Sequence, residues 1–179
     1  MTFNHTTTTM SRAGMLAIRA LEPGETELVS AVYDRLGPRS RSLRFGGAKE
    51  SLSEFELTAL ADVGDRRHAL VAFVAGDWAP AGIARYAIDG EDRTIAEAAI
   101  AVADEHHGRG VGTALMHALA ADARAAGVTW FRATIAGENR RALTLLKKVA
   151  TLDDLRFGGG QVEVLASIAA APARVPRAA

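Results

Sequence analysis

Residues 94–126 read TIAEAAIAVADEHHGRGVGTALMHALAADARAA, and this stretch decides the fold because it predicts a strand, a glycine-rich turn and a helix. The strand is the run of small apolar residues from Thr94 to Ala103, which the single charge of Glu97 interrupts. From about Val111, apolar residues recur at helical spacing. Gly127 follows at a position where a glycine commonly ends a helix.

The turn between strand and helix predicts an anion-binding site. It contains Gly108, Gly110 and Gly112 within a short stretch, so the backbone N–H groups can approach a ligand closely. At a helix N-terminus these groups and the helix dipole both favour negative charge, and a pyrophosphate is the expected ligand. No Lys-Ser/Thr pair follows, which excludes a Walker A loop, and the glycine spacing is not a clean Rossmann fingerprint.

The segment from His107 to Gly112 resembles the acetyl-CoA pyrophosphate loop of the GNAT family of N-acetyltransferases, whose pattern is Gln/Arg-x-x-Gly-x-Gly/Ala. Gly110 and Gly112 match this pattern, and His107 replaces the usual Gln or Arg. The resemblance covers about residues 15–168 and implies acetyl-CoA as co-substrate. Carried over to this sequence, the residues that would bind it are Ile100, Ala101, Val102, His107, Gly108, Arg109, Gly110, Val111, Gly112, Thr113 and Asn139.

The rest of the sequence predicts an α/β (α+β) fold. Strands at 68–75, 78–88 and 94–103 are joined by tight turns, so they should form an antiparallel meander. A further strand at 128–135 follows the helix, and a right-handed crossover would place it parallel to the central strand. The resemblance implies a mixed, mostly antiparallel sheet of about seven strands, splayed open in its middle and flanked by four helices.

The domain boundaries follow from the same pattern. We expect one GNAT domain over residues 15–169, a disordered tail over 1–14 and a second tail over 170–179. Residues 40–47 are expected to form a basic connector that ends in flexible glycines.

Composition limits the possible functions. The 179 residues are 49% hydrophobic, which is typical of a globular domain with a real core. The formal net charge is zero, so the charge balance does not indicate nucleic acid or an anionic membrane as a partner. The absence of cysteine excludes disulfides, Cys-type zinc sites and a cysteine nucleophile. We expect a cytoplasmic protein, a monomer or a homodimer, with no transmembrane segment.

Metal binding is not expected either. His106 and His107 are adjacent and His117 stands apart, and no carboxylate–histidine spacing in the chain matches a known metal site.

Glu97 is the candidate general base. A lysine amine, with an unperturbed pKa of about 10.4, must lose a proton before it attacks a thioester. Glu97 is the one charge in an apolar strand, and burial raises the pKa of a carboxyl group towards the range useful to a base. In Pat-like relatives an Ala-Glu-x-Ala segment at this place carries the base, which implies the same role here. The alternative is a carboxylate that faces solvent or pairs with Arg85 across the sheet.

Asn139 is expected to cap the helix that it opens, and in the family an Asn here also contacts the pantetheine arm or a bound water. Many relatives place a Tyr a few residues later to protonate the leaving thiolate. In this chain Thr144 and its neighbours stand there, and no Tyr follows Tyr86. A thiolate whose conjugate acid has a pKa of about 8.5 can leave unprotonated, so a general acid is not assigned.

The pattern Ser-x-x-Leu-Arg-Phe at residues 40–45 resembles the helix connector of bacterial Pat-like protein lysine acetyltransferases, which implies a site-shaping role for Arg44. Gly46 replaces the aromatic residue usual in that branch. This resemblance makes a protein lysine the first expected acceptor, with a small-molecule amine as the alternative. A non-catalytic CoA-binding sensor or inactive homologue is the hypothesis from a different class. Tyr86 is a further candidate for contact with the substrate.

Overall fold

The structure, a computed structural model, describes residues 6–12, 14–47 and 49–169. In this part of the chain there are eight strands and five helices. The strands are β1 (Thr7–Ser11), β2 (Gly14–Ala20), β3 (Arg67–Val74), β4 (Pro80–Ile88), β5 (Ile95–Val102), β6 (Trp130–Ala136), β7 (Thr151–Gly158) and β8 (Gln161–Ser167). The helices are α1 (Thr26–Asp34), α2 (Pro38–Phe45), α3 (Glu54–Leu60), α4 (Val111–Ala125) and α5 (Arg140–Val149).

All eight described strands belong to one sheet, in the order β1-β2-β3-β4-β5-β6-β8-β7. Every neighbouring pair is antiparallel except β5 and β6, which are parallel and are joined through α4. The predicted mixed, mostly antiparallel sheet is therefore confirmed. The described residues contain one strand and one helix more than the seven and four expected.

β5 and β6 separate soon after they meet. Their parallel pairing covers only the first three residues of β5, from Ile95 to Glu97. By contrast, β4 stays paired with β5 as far as Val102. The second half of β5, from Ala98 to Val102, therefore has β4 on one side and no paired strand on the other. We call this opening the sheet gap.

Helices cover both faces of the sheet. α4 packs on one face, here called the α4 face, where Leu115 and Leu119 are fully buried. The first three helices cover the other face, called the α1 face, around the buried Tyr33. Because side chains alternate along a strand, β5 contributes Ala98 to the core on the α4 face and Ala101 to the core on the α1 face. None of the described helices combines the length and hydropathy needed to cross a membrane.

Local sequence signals set several helix ends. α3 begins with a capping box, in which the Ser53 side chain accepts from the Glu56 N–H and the Glu56 side chain accepts from the Ser53 N–H. α5 begins after Asn139, whose Oδ1 accepts from the Ala142 N–H at 3.1 Å. Gly127 follows α4 with a φ of +87°, as expected for a glycine at a helix end.

The N-terminal segment differs from the prediction. Thr7–Ser11 forms β1 and pairs with β2, so a disordered tail over 1–14 is wrong for this segment, and Gly14 already belongs to β2. Threonine is β-branched and fits a half-exposed strand. The polar composition of the segment nevertheless led to the prediction of a tail. The tail predicted at 170–179 lies outside the described residues.

The predicted connector at 40–47 is mostly helical. α2 starts with Pro38 at its first position and ends before Gly46, whose φ is +74°. Proline just inside the start and glycine just past the end are ordinary helix signals. Hydrophobic periodicity did not predict this helix, because α2 has no apolar stripe and buries none of its residues completely.

Candidate active site

The N-terminus of α4 presents backbone donors that have no partner within the described residues. The first hydrogen bond of this helix runs from Ala114 N to Gly110 O at 3.0 Å. The N–H groups of Val111, Gly112 and Thr113 precede it, and none donates to a described residue. Gly110 has a φ of +94°, a conformation that favours glycine. Donors at the positive end of a 15-residue helix suit an anion such as a pyrophosphate.

Gly112 lies against the sheet gap. A Cβ atom at this position would lie 3.4 Å from Leu145 Cδ2, 3.5 Å from Val102 Cγ2 and 3.6 Å from Ile100 Cδ1. These are ordinary contact distances, so a methyl group fits, whereas a longer side chain would enter the space between β5 and α5. The absence of a side chain at Gly112 therefore keeps this space open.

Ile100 and Val102 direct their backbone groups into the sheet gap. The hydrogen bond from Ala103 N to Ala81 O, at 2.9 Å, fixes which residues of β5 bond to β4. Antiparallel pairs alternate, so Ala101 exchanges hydrogen bonds with β4, while Ile100 and Val102 direct their N–H and C=O groups to the other side. This register does not support the predicted backbone contact of Ala101 with the pantetheine arm.

His107 occupies the position where the family pattern has Gln or Arg, and it is half-buried. Its Nε2 atom lies 2.9 Å from Val102 O, and its Nδ1 atom lies 3.5 Å from Nη1 of Arg141. The imidazole therefore connects the end of β5 with α5. Gly108, with a φ of +71°, and Arg109 follow on the exposed part of the turn.

Asn139 caps α5, as expected, and it is half-buried. The capping bond uses its Oδ1 atom, and its amide nitrogen has no hydrogen-bond partner among the described residues. This side chain can therefore cap the helix and still donate to a ligand.

A charged network that the sequence analysis missed holds the turn in place. Arg35, just after α1, donates to Asp77 Oδ2 at 2.5 Å and also pairs with Glu105. His106 Nε2 lies 2.9 Å from the same Asp77 oxygen. Hydrogen bonds from Arg35 and His106 hold the pKa of Asp77 well below its usual range. The network joins the end of α1 and the β3–β4 turn to residues 104–106, which form a 3₁₀ turn ahead of the glycines.

The same network contains a possible metal-ligand set. Ligand atoms of Asp77, Glu105 and His106 lie within 4.8 Å of one another. However, the guanidinium of Arg35 is bonded to both carboxylates. A cation of the chain itself is therefore already paired with both carboxylates, and the geometry is that of an ion-pair network.

A partly enclosed cleft lies on the α1 face, between α1 and α2 on one side and β4 and β5 on the other. Arg44, Arg85, Ala99 and Ala101 are among its lining residues. Glu97 precedes Ala99 and Ala101 on the same face of β5. Its side chain is exposed, so the expected burial of Glu97 is wrong.

The two arginines and Glu97 act on one another electrostatically. Burial and repulsion from Arg85 lower the pKa of Arg44 to about 10, while the Glu97 carboxylate acts in the opposite direction. Burial also lowers the pKa of Arg85, again opposed by Glu97. No ion pair within 4 Å joins Glu97 to Arg85 in the part of the chain that the structure describes.

Tyr86 does not reach this cleft. It lies in the core of the α4 face at 3% exposure, with ring centroids of His68 and Phe131 at 5.5 and 6.4 Å. Burial raises the pKa of its hydroxyl to about 12. The predicted contact of Tyr86 with the substrate is therefore wrong, because Tyr86 and Glu97 lie on opposite faces of the sheet.

A splayed sheet, a glycine-rich turn and a helix N-terminus beside the gap define the class of protein. The model of the acetyltransferase (GNAT) family matches residues 32–150, and the chain belongs to this family.

Among individual proteins, the chain is similar to Acetyltransferase Pat from Mycolicibacterium smegmatis, with 36% identity over 84 residues. This match covers 45% of the chain but only 25% of that relative. The GNAT domain of S. lividans PAT has a TM-score of 0.80 at 24% identity, covering 90% of this chain and 96% of that one. The structure of yncA from Salmonella typhimurium, solved with its cofactor acetyl-CoA, has a TM-score of 0.63 at 18% identity and covers 92% and 99%.

Proposed function

We propose that the chain transfers an acetyl group from acetyl-CoA to a primary amine, by direct attack of the amine with Glu97 as general base. The observation that carries this proposal is the sheet gap. Beside it lie the Ile100 backbone groups and the Val102 N–H, together with the first N–H groups of α4, and none of these has a partner among the described residues. Glu97 lies where the gap begins.

Acetyl-CoA has matching binding groups along this path. The pyrophosphate would accept hydrogen bonds from the N–H groups of Val111, Gly112 and Thr113. The amides of the pantetheine arm would pair with the N–H and C=O of Ile100 and the N–H of Val102, replacing the strand that β6 does not supply. The C=O of Val102 already accepts from His107. The amide nitrogen of Asn139 is a further donor to the arm. The chain thus provides donors for the phosphates and both donors and acceptors for the arm.

The base would act near the opposite end of the arm. Glu97 lies three residues before Ile100, about 10 Å along the strand at the usual rise per residue. Its exposed carboxylate can take a proton from the amine directly or through a water molecule. The thiolate of CoA would leave without an assigned acid, because a thiol with a pKa of about 8.5 gives a tolerable leaving group.

The acceptor we propose first is a protein lysine, on the similarity to Acetyltransferase Pat. A small-molecule amine is the second candidate, and the partly enclosed cleft with its two arginines favours it. A CoA-binding protein without catalytic activity is the alternative from another class. Fold similarity alone does not separate these, because acceptor choice depends on the groups in the site.

The test is native mass spectrometry of the purified protein for bound CoA, followed by a panel of amines. The panel contains lysine peptides and small amines, and acetylated products are identified by mass. We expect CoA binding and acetylation of at least one amine. CoA binding without transfer to any amine would support the non-catalytic alternative. Absence of CoA binding would contradict the proposal as a whole.

A further inference from the structure

Arg44 carries a charge that the chain does not balance. Its guanidinium forms no hydrogen bond or ion pair within the described residues, although it is half-buried, and it stacks at 4.8 Å from the ring centroid of Phe45. Other half-buried arginines have a carboxylate or carbonyl partner, such as Arg19 with Glu25 at 2.7 Å and Arg41 with the Leu36 carbonyl at 2.8 Å. A half-buried cation without a hydrogen-bonded anion is costly, so its presence indicates a ligand.

Arg85 faces the same cleft from β4 and is held in a fixed orientation. Its Nη1 atom donates to Ala59 O and Leu60 O, at 3.1 Å each, at the end of α3. Its Nε and Nη2 atoms donate no hydrogen bond to any described residue. The fork of Arg85 is therefore anchored on one side, and two of its donor atoms stay available for a planar anion.

Burial lowers the pKa of Arg44, and repulsion from the Arg85 guanidinium across the cleft lowers it further. Arg67 and Asp62 also act on Arg85, but they form an ion pair with each other. Glu97 opposes the repulsion, and it supplies one negative charge against the two positive charges of Arg44 and Arg85. An incoming anion would relieve this excess. A carboxylate fits better than a neutral group because Arg binds carboxylates through two parallel hydrogen bonds.

We propose that Arg44 and Arg85 form a subsite that binds a carboxylate of the acceptor amine. This inference rests on the proposed acetyl transfer to an amine, because it assigns the acceptor's second functional group. The substrate class is then an amine that carries a carboxylate several bonds away.

The sheet register sets how far the proposed base, Glu97, lies from Arg85 of the carboxylate subsite. Glu97 pairs with Ala87 and Arg85 pairs with Ala99, so Glu97 and Arg85 are diagonal neighbours on one face of β4 and β5. Such positions are about 7–8 Å apart. The amine of the acceptor would reach Glu97 while its carboxylate stays on the arginines. An ω-amino acid meets this requirement, and so does a lysine with an acidic residue next to it in a peptide.

The experiment compares matched acceptors that differ only in charge. One arm uses ω-amino acids of increasing length and their carboxamides. The other arm uses lysine peptides with Asp or Asn beside the lysine. For each pair we measure kcat/KM, and by NMR titration the dissociation constant, with and without CoA. Whichever arm shows the charge preference identifies the source of the carboxylate.

We expect the carboxylate form to be favoured by about 10- to 100-fold, as is typical of a charged hydrogen-bonded contact. In Arg44→Gln this preference should fall to within about threefold, and Arg44→Lys should keep part of it. Arg39→Gln is the matched control, because Arg39 lies on the same helix and its side chain is 76% exposed. It should keep the wild-type preference. The melting temperature of Arg44→Gln should stay close to that of wild type, because the loss of the stacking contact with Phe45 is offset by removal of a half-buried charge that has no ion pair among the described residues.

Two results would overturn the subsite. The first is equal handling of both members of every pair, including no measurable binding of either form. The second is a preference that survives in Arg44→Gln. A charge preference in the dissociation constants without acetyl transfer would keep the subsite and contradict the proposed catalysis. Acetyl transfer without a charge preference would support the proposed catalysis and contradict the subsite.

Discussion

Because the carbonyl oxygen of Val102 can only accept a hydrogen bond, the Nε2 atom of His107, 2.9 Å away, carries a hydrogen. The Nδ1 atom of a neutral ring is then an acceptor, and it faces Arg141. The imidazole thus donates to a carbonyl at the end of the sheet gap. Gln, which the family pattern has at this position, also has an N–H donor and can make the same hydrogen bond.

The first prediction concerns His107. His107→Ala should weaken acetyl-CoA binding by about five- to tenfold, because the Val102 carbonyl at the end of the sheet gap loses the donor that orients it, a hydrogen bond worth about 1 kcal/mol. His107→Gln should stay within about twofold of wild type. Calorimetric titration with acetyl-CoA measures both. Equal losses in the two variants would show that the ring itself, and not its donor, is what matters.

A second prediction tests the space beside Gly112. Gly112→Glu should abolish measurable acetyl-CoA binding, because its side chain would fill the space bordered by Ile100, Val102 and Leu145 and would add a negative charge near the phosphates. Circular dichroism should show an intact fold. Gly90→Glu is the control, since a Cβ on Gly90 would meet nothing within 4 Å. Unchanged affinity in folded Gly112→Glu would place the cofactor elsewhere.

The third prediction separates chemistry from binding at Glu97. Glu97→Gln should lower kcat by about two to four orders of magnitude and leave acetyl-CoA affinity nearly unchanged. Glu91→Gln, in the turn before β5, serves as the control. A variant within threefold of wild type on a true acceptor would make Glu97 structural, and ordered water would then be the remaining candidate base.

The fourth prediction uses the pKa of Asp77, which is lower in the folded state than in the unfolded chain. Such a group stabilises the fold above its unfolded pKa of about 3.9, and this contribution is lost as the pH falls towards the folded pKa. Asp77→Asn should therefore cost about 1–3 kcal/mol at pH 7, because Arg35 and His106 lose their charged partner.

Denaturant unfolding at several pH values measures this cost. The difference between wild type and Asp77→Asn should shrink progressively below about pH 4. Asp65→Asn, at an exposed residue, is the control and should change stability by less than about 0.5 kcal/mol. A pH-independent difference would show that Asp77 acts through packing and not through its charge.

The sequence predicted the centre of this fold well because its signals are local. Small apolar residues of β5, the glycines of the turn and the regular spacing of α4 lie within about 30 consecutive residues, and each has one dominant structural interpretation. The capping role of Asn139 was predictable for the same reason. Segments with weak local signals were missed, such as the threonine-rich β1 and the polar α2.

The environment of Glu97 could not be derived from its apolar neighbours. In β5, apolar residues stand on both faces, so an apolar sequence did not mean that every side chain is buried. Whether Glu97 is covered depends on the helices that pack on the α1 face, and these come from a different part of the chain. The hydrogen bond between Arg35 and Asp77 could not be derived from local sequence either, since it joins residues 42 positions apart.

β1 connects the edge of the sheet to the glycine-rich turn before α4. A Cβ on Gly110 would lie 3.3 Å from Ser11 Cβ, so the end of β1 touches the turn. β1 is also one of the two edge strands of the sheet, and β2 is its one neighbour among the described strands. Edge segments open at low free energy, by local unfolding that amide hydrogen exchange detects. Occupancy of the turn and fraying of β1 are therefore thermodynamically linked: a ligand that orders the turn also slows exchange in β1, and a disturbance of β1 weakens the ligand in return.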